Sequence, residues 1–156
     1  MFIKIVMLYI IIFFSTFAHE LGHIVMAKIF YNVKNSRIEI GKGKNILKLK
    51  KIIVNALPVY GHAYWELEDY DSYKKSSKLR KIMPSLGGPL VSLLIALGFI
   101  LISGNNYGDF YNQIIKYFIM YNSICFISTV LPIKYINYSS DGMRIFDIIR
   151  DNKVEN

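Results

Sequence analysis

Hydrophobic residues fall into three long runs along this chain, and between the first and second the pattern changes period. Ile5 to Ala18 carries no charge and, after a short polar interruption, its apolar character resumes as far as Phe30. Leu86 to Ser103 and Tyr117 to Ile133 are likewise uncharged. A hydrocarbon core ~30 Å thick is crossed by roughly 20 helical residues, with ~17 as the lower limit. The runs therefore predict three transmembrane helices, about 2–30, 84–103 and 114–133, the third carrying Asn122, Ser123, Ser128 and Thr129.

Between the first two runs the residues alternate. Arg37-Ile38-Glu39-Ile40 and Leu47-Lys48-Leu49-Lys50 flank "GKGKN", and Ile52 to Leu57 runs up to Pro58. Alternation bounded by Gly and Asn predicts short antiparallel strands over about 33–65, with an edge able to accept an extended peptide. Glu66 to Lys81 shifts from acidic to basic and reads as a solvated linker with a lipid-facing basic end. After Asp141-Gly142, "MRIFDIIRD" has apolar residues at helical spacing, which predicts a short helix within 139–151. The expected fold is an α-helical integral membrane protein. It has three core transmembrane helices, a small membrane-associated β-hairpin between the first and second, and residues 1–156 as one membrane-embedded domain.

Composition agrees: 53% of the residues are hydrophobic, high for a soluble domain of 156 residues. A secretory signal ending at Ala18 is the rival reading of the first run. It is disfavoured, because "IVMAKIF" resumes the apolar pattern directly after the interruption. The net charge of +8 raises nucleic acid as a partner, but 12 of the 19 Lys and Arg lie between Tyr31 and Lys81, and Gly104 to Gln113 has none. That asymmetry is a topology signal. It predicts a multi-pass protein with a cytoplasmic first connection, an N-terminus outside and a C-terminus in the cytoplasm. The basic residues then face anionic lipid, and nucleic-acid binding is excluded as a class. Cys125 is the single cysteine, lies in the third run, and reads as an apolar core residue.

The polar interruption is His19-Glu20-Leu21-Gly22-His23. Histidines at i and i+4 project from one helix face, where two imidazoles can bind one zinc ion and the glutamate can act as general base toward water. Ionisable groups at bilayer depth are costly and usually mark function. A catalytic zinc commonly takes a third protein ligand, and the candidates are His62, Cys125 and the remaining acids. The first and third runs cross in the same direction, so whatever follows Ile133 arrives at the membrane face nearest His19 and His23. Asp141 is best placed, ahead of Asp147 and Asp151, while His62 reads as a loop histidine.

In order along the chain, HELGH, "IEIGKGKNILKLKKIIVNALPVYGHAY", "GGPLVSLLIALG", "TVLP" and "SSDGMRI" resemble the site-2 protease family of intramembrane zinc metalloproteases, over roughly Phe14 to Ile149. The resemblance implies His19, His23 and Asp141 as zinc ligands and Glu20 as catalytic base. It further implies hydrolysis of a membrane-spanning protein or peptide substrate, an active site toward the cytoplasmic side of a bacterial or archaeal membrane, and room for a regulatory membrane protein. Four departures stand out. Thr129 occupies the position of a family asparagine associated with substrate or oxyanion contact, for which Asn122 and Asn137 are substitutes at the wrong spacing. Ser140 replaces a leucine, Pro132 to Asp141 is longer than usual, and Tyr60 replaces a glycine. Within these residues there is no PDZ or CBS domain, as expected of a minimal core. The alternative is a proteolytically inactive membrane homologue that binds metal or a partner.

Overall fold

The structure is a computed structural model and describes residues 2–105, 108–136 and 138–150. Helix α1 (Phe2–Phe30) leads into strands β1 (Val33–Lys48) and β2 (Ile52–Leu67), followed by helices α2 (Tyr70–Lys75), α3 (Lys78–Ile102), α4 (Asp109–Val130) and α5 (Asp141–Arg150). Helix α3 starts ahead of Pro84, the predicted start, because Ser77 caps it by accepting from Arg80 N–H and places Pro84 in the second turn. Proline there removes only one intrahelical donor close to an end that lacks partners already.

Two helices, α1 and α3, are long and apolar enough to cross a membrane. The 29 residues of α1 extend about 43 Å at 1.5 Å per residue. Helix α4 is not in that class, and the reason lies in the Asn, Ser and Thr residues along it. Burial runs inside out relative to a water-soluble domain. Leu94 and Leu101 are 66% and 83% exposed, whereas Ser92 and Asn122 are both 0% exposed. On α1 the buried positions include Ser15, Thr16, His19, Glu20 and His23.

Three ties gather helix ends. The Arg80 guanidinium donates to the Phe30 carbonyl through Nε at 2.8 Å and through a second nitrogen, holding the end of α1 against the start of α3. Lys78 Nζ donates to the Ile149 carbonyl at 3.0 Å, adding the end of α5. Chain continuity adds the end of α4, so α1, α3 and α4 are oriented up, down and up relative to one another. Where α1 and α3 cross, Gly22 and Gly87 leave the two backbones in contact.

The predicted short strands are two 16-residue strands forming one antiparallel pair with repeated register shifts. Ile38, Glu39 and Ile40 each face partners on both sides: Ala63, His62 and Gly61 on one, Ile52, Ile53 and Val54 on the other. Gly41, at φ 87°, makes the doubling possible, since a Cβ there would strike the Asn55 and Leu57 carbonyls. The centre of β1 therefore has no open edge. The inner face of this folded hairpin packs Ile38, Ile40 and Ala63 on Ile24 of α1, with Phe13, Phe17 and Trp65 around them. That packing sets β2 over the polar face of α1.

Candidate metal centre

His19 and His23 are one turn apart on α1, both 4% exposed, and their Nε2 atoms are 3.3 Å from each other. Asp141 Oδ2, at the start of α5, is 3.5 Å from His19 Nε2 and 3.4 Å from His23 Nε2. These separations exceed a good N–H···O hydrogen bond. They match the spacing of ligand atoms around a tetrahedral ion with bonds of 2.0–2.1 Å, about 3.3–3.4 Å.

The proton positions sharpen the case. His23 Nδ1 is 2.8 Å from the Pro84 carbonyl, which can only accept, so the proton sits on Nδ1 and Nε2 presents a lone pair. Gly88 N–H also approaches that nitrogen, at 3.3 Å, which is the weaker contact. His19 Nδ1 is 2.8 Å from Ser92 Oγ, a hydroxyl able to accept in the same way. With both Nδ1 atoms carrying the proton, two imidazole lone pairs and a carboxylate converge on one point. Such a set is complete only with a cation, and N, N, O donors suit zinc. Among the described residues this is the one cluster of its kind.

Each ligand is held by local chemistry. A Cβ at Gly88 of α3 would strike both Nε2 atoms, so only glycine leaves room for the imidazoles. Asp141 is carried by a Ser-Asp-Gly unit. Ser140 Oγ accepts from Met143 N–H at 3.1 Å as an N-cap, accepts from Ile133 N–H at 2.9 Å and donates to the Leu131 carbonyl at 2.6 Å. Gly142 lies where a Cβ would meet the Val130 carbonyl, so α5 seats directly on the end of α4. The serine that departs from the resemblance is thus the clamp that places Asp141. The longer connection turns back on itself, with Lys134 bridging Ser139 and Tyr135 N–H donating to the Tyr138 carbonyl at 2.8 Å.

Glu20 is 7% exposed and faces β2. Its carboxylate lies close to the Ala63 N–H, and a Cβ at Gly61 would run into Glu20 itself. A cavity of about 340 Å³ opens from this point, and Glu20, both histidines and Asp141 are among the residues that line it.

A profile of peptidase family M50 matches residues 7–149. The chain belongs to that family, the site-2 protease family. Membership makes the cofactor zinc and gives the buried His19, His23 and Asp141 cluster its reading as an M50 metal site. A protein of Clostridium acetobutylicum named "Putative zinc metalloprotease" is 29% identical over 99 residues, an alignment covering 58% of this chain and 29% of that protein. The chain thus matches less than a third of that relative's length.

The other M50-inspired candidates fall elsewhere. Thr129 lines the cavity, but its hydroxyl donates to the Cys125 carbonyl of its own helix at 2.8 Å. Asn122 faces α1, donating to Ser15 Oγ at 2.9 Å, and does not line the cavity. Cys125 Sγ is 3.6 Å from His19 Nδ1, the nitrogen turned away from the cluster. His62 lines the cavity outside the cluster, stacked on Tyr60, and burial, then the nearby Arg144 charge, push its pKa down. Asp147 lines a second cavity, and Asp151 and Asn137 lie outside the described residues. Sequence reasoning did not single out Gly88, Ser92, Gly61 or the Pro84 carbonyl. Consecutive glycines within an apolar helical run were the available signal, since each costs about 1 kcal/mol against alanine.

Proposed function

We propose that this protein is an intramembrane zinc endopeptidase that hydrolyses peptide bonds of membrane-spanning protein substrates. The observation that carries the reading is the triangle of His19 Nε2, His23 Nε2 and Asp141 Oδ2, with Glu20 beside it in the same cavity. Zinc held by those atoms supplies a Lewis acid that makes water acidic and polarises a carbonyl. Glu20 takes the proton of the attacking water and delivers it to the departing amine. Ala63 N–H and the bare Cα of Gly61 hold the Glu20 carboxylate in one orientation for both transfers.

Inside-out burial and the up-down-up arrangement support three membrane crossings, α4 being the polar third. The abundance of Lys and Arg between Tyr31 and Lys81 supports a cytoplasmic location for that connection and for the cavity, with the N-terminus outside. A helical substrate hides its carbonyls, so the substrate segment must arrive extended. With the centre of β1 already paired on both sides, the outer edge of the Gly61 to Leu67 half of β2, beside Glu20, is the better place for strand addition.

Zinc and turnover test this together. Detergent-purified protein is expected to hold close to one zinc per chain, lost in His23→Ala and in Asp141→Ala, while Glu20→Gln keeps zinc and loses cleavage of an apolar fluorogenic peptide. Cleavage that persists at full rate in Glu20→Gln would sink the assignment of the base. Zinc binding with no cleavage by any form would favour the inactive, partner-binding homologue.

A further inference from the structure

Arg144 stands three residues after Asp141 on α5 and lines the wall of the catalytic cavity. Among the described residues its guanidinium has no acidic partner. Asp141, one turn back, is committed to the two histidines, and Asp147, one turn on, makes no ion pair with it. Among the described residues the ion pairs are His19–Asp141, His23–Asp141 and Lys74–Asp71, so no carboxylate lies within 4.0 Å of Arg144. Glu20 and Asp141 line the same cavity, Glu20 beside β2 and Asp141 against the two histidines, and the other rings on that wall are Tyr60, His62 and Tyr138. Tyr60 and Tyr138 meet edge to face at 5.7 Å, and Tyr60 stacks on His62 at 6.4 Å. Burial, and after it the nearby Arg144 charge, push the His62 pKa below its ordinary value.

A guanidinium with no carboxylate in salt-bridge contact among the described residues, on a cavity wall shared with Tyr60 and Tyr138, can receive a carboxylate, because its planar fork pairs both carboxylate oxygens at once. Position gives the reach. Residues three apart on a helix are neighbours about 5–6 Å apart at Cβ, and an extended peptide advances ~3.3 Å per residue. The fork therefore meets a group roughly one to three positions from the bond held over Asp141.

We propose that Arg144 is a specificity residue that receives a substrate carboxylate close to the scissile bond. The proposal rests on the endopeptidase reading for what occupies the cavity, but its test reads binding and needs no turnover. The carboxylate has two sources, an Asp or Glu side chain or a free C-terminus.

Glu20→Gln protein, which cannot turn over, is titrated with three fluorescent apolar peptides: one with an internal Asp and amidated end, the same with Asn, and the Asn peptide with a free C-terminus. The Asp-amide peptide is expected to bind about 10- to 100-fold tighter than the Asn-amide peptide, the range of a charge-assisted pair. Raising the salt should shrink that ratio. Adding Arg144→Glu should invert it, and Arg144→Gln should bring it near one, with zinc content confirming the fold of each. Tight binding of the free-acid peptide alone would assign the same site to a C-terminal carboxylate. Equal binding of all three peptides, or a preference that survives Arg144→Glu, overturns the proposal. If the preference holds but the Glu20 form cleaves none of the peptides, the endopeptidase reading fails and the carboxylate site stands.

Discussion

Gly22 of α1 and Gly87 of α3 sit back to back: a Cβ on either residue would collide with the carbonyl of the other. Close backbone approach at small residues is how helices associate where lipid removes the usual hydrophobic drive. Gly22→Ala or Gly87→Ala should therefore cost about 1–3 kcal/mol, as overpacking does. Gly98→Ala is the control, since nothing lies within 4 Å of a Cβ there. Thermal unfolding in detergent should show the first two variants melting earlier and Gly98→Ala unchanged or slightly later.

The neighbouring glycine has a different task. Gly88 gives way to the imidazoles themselves, and Ser92, one turn further along α3, holds His19 Nδ1. Partners that orient metal-ligating histidines typically matter 10- to 100-fold, so Ser92→Ala should weaken zinc binding by about that factor. Gly88→Ala should weaken zinc at least as much, since its methyl reaches into the space of both Nε2 atoms. Competition with a chelator measures both variants, and unchanged helical content separates them from the Gly22→Ala class.

Much of this was legible in the sequence, for physical reasons. His19, Glu20 and His23 announced themselves because an i, i+4 pair around a glutamate is expensive in an apolar run. The expected direction of the runs favoured Asp141 among several candidates, and the resemblance singled it out. What stayed hidden depends on contacts between distant elements. Periodicity cannot show that Ile38 to Ile40 are paired on both sides, because alternation reports faces and not neighbours. Nor can it show that the Thr129 proton is spent on its own helix, or that α4 turns Asn122 toward α1. The third span was expected on length, and α4 is long, but the polar residues that join it to α1 are also those that lower its hydropathy.

Ser140 shows how a departure from a familiar pattern can be structural. One hydroxyl links Ile133, Leu131 and Met143, so it both caps α5 and fastens it to the end of α4. Ser140→Ala should cost about 1 kcal/mol for the cap alone. Because Asp141 is the next residue, zinc affinity should fall as well. Ser140→Leu, which installs the side chain the resemblance leads one to expect, should be worse than alanine: it leaves the same N–H groups unanswered and adds bulk at a position only 8% exposed. Zinc titration of the two variants beside the parent orders them, and a leucine variant equal to the parent would refute the clamp.

The proposed base is positioned by a strand and not by its own helix. Glu20 belongs to α1, yet the groups that fix its carboxylate, Ala63 N–H and the bare Cα of Gly61, belong to β2. Gly61 has no positive φ, so alanine is acceptable to its backbone. The added methyl meets Glu20 and displaces the carboxylate without touching a metal ligand. General-base catalysis is worth roughly 10²- to 10⁴-fold, and a displaced base should forfeit part of it. Gly61→Ala is therefore expected to keep zinc and fold while kcat for an apolar peptide drops by on the order of 10². Glu20→Gln should drop it further, and the double variant should be no slower than Glu20→Gln alone. That non-additivity is the decisive reading, because a methyl that merely obstructed substrate would slow the double variant beyond Glu20→Gln and raise KM in both backgrounds.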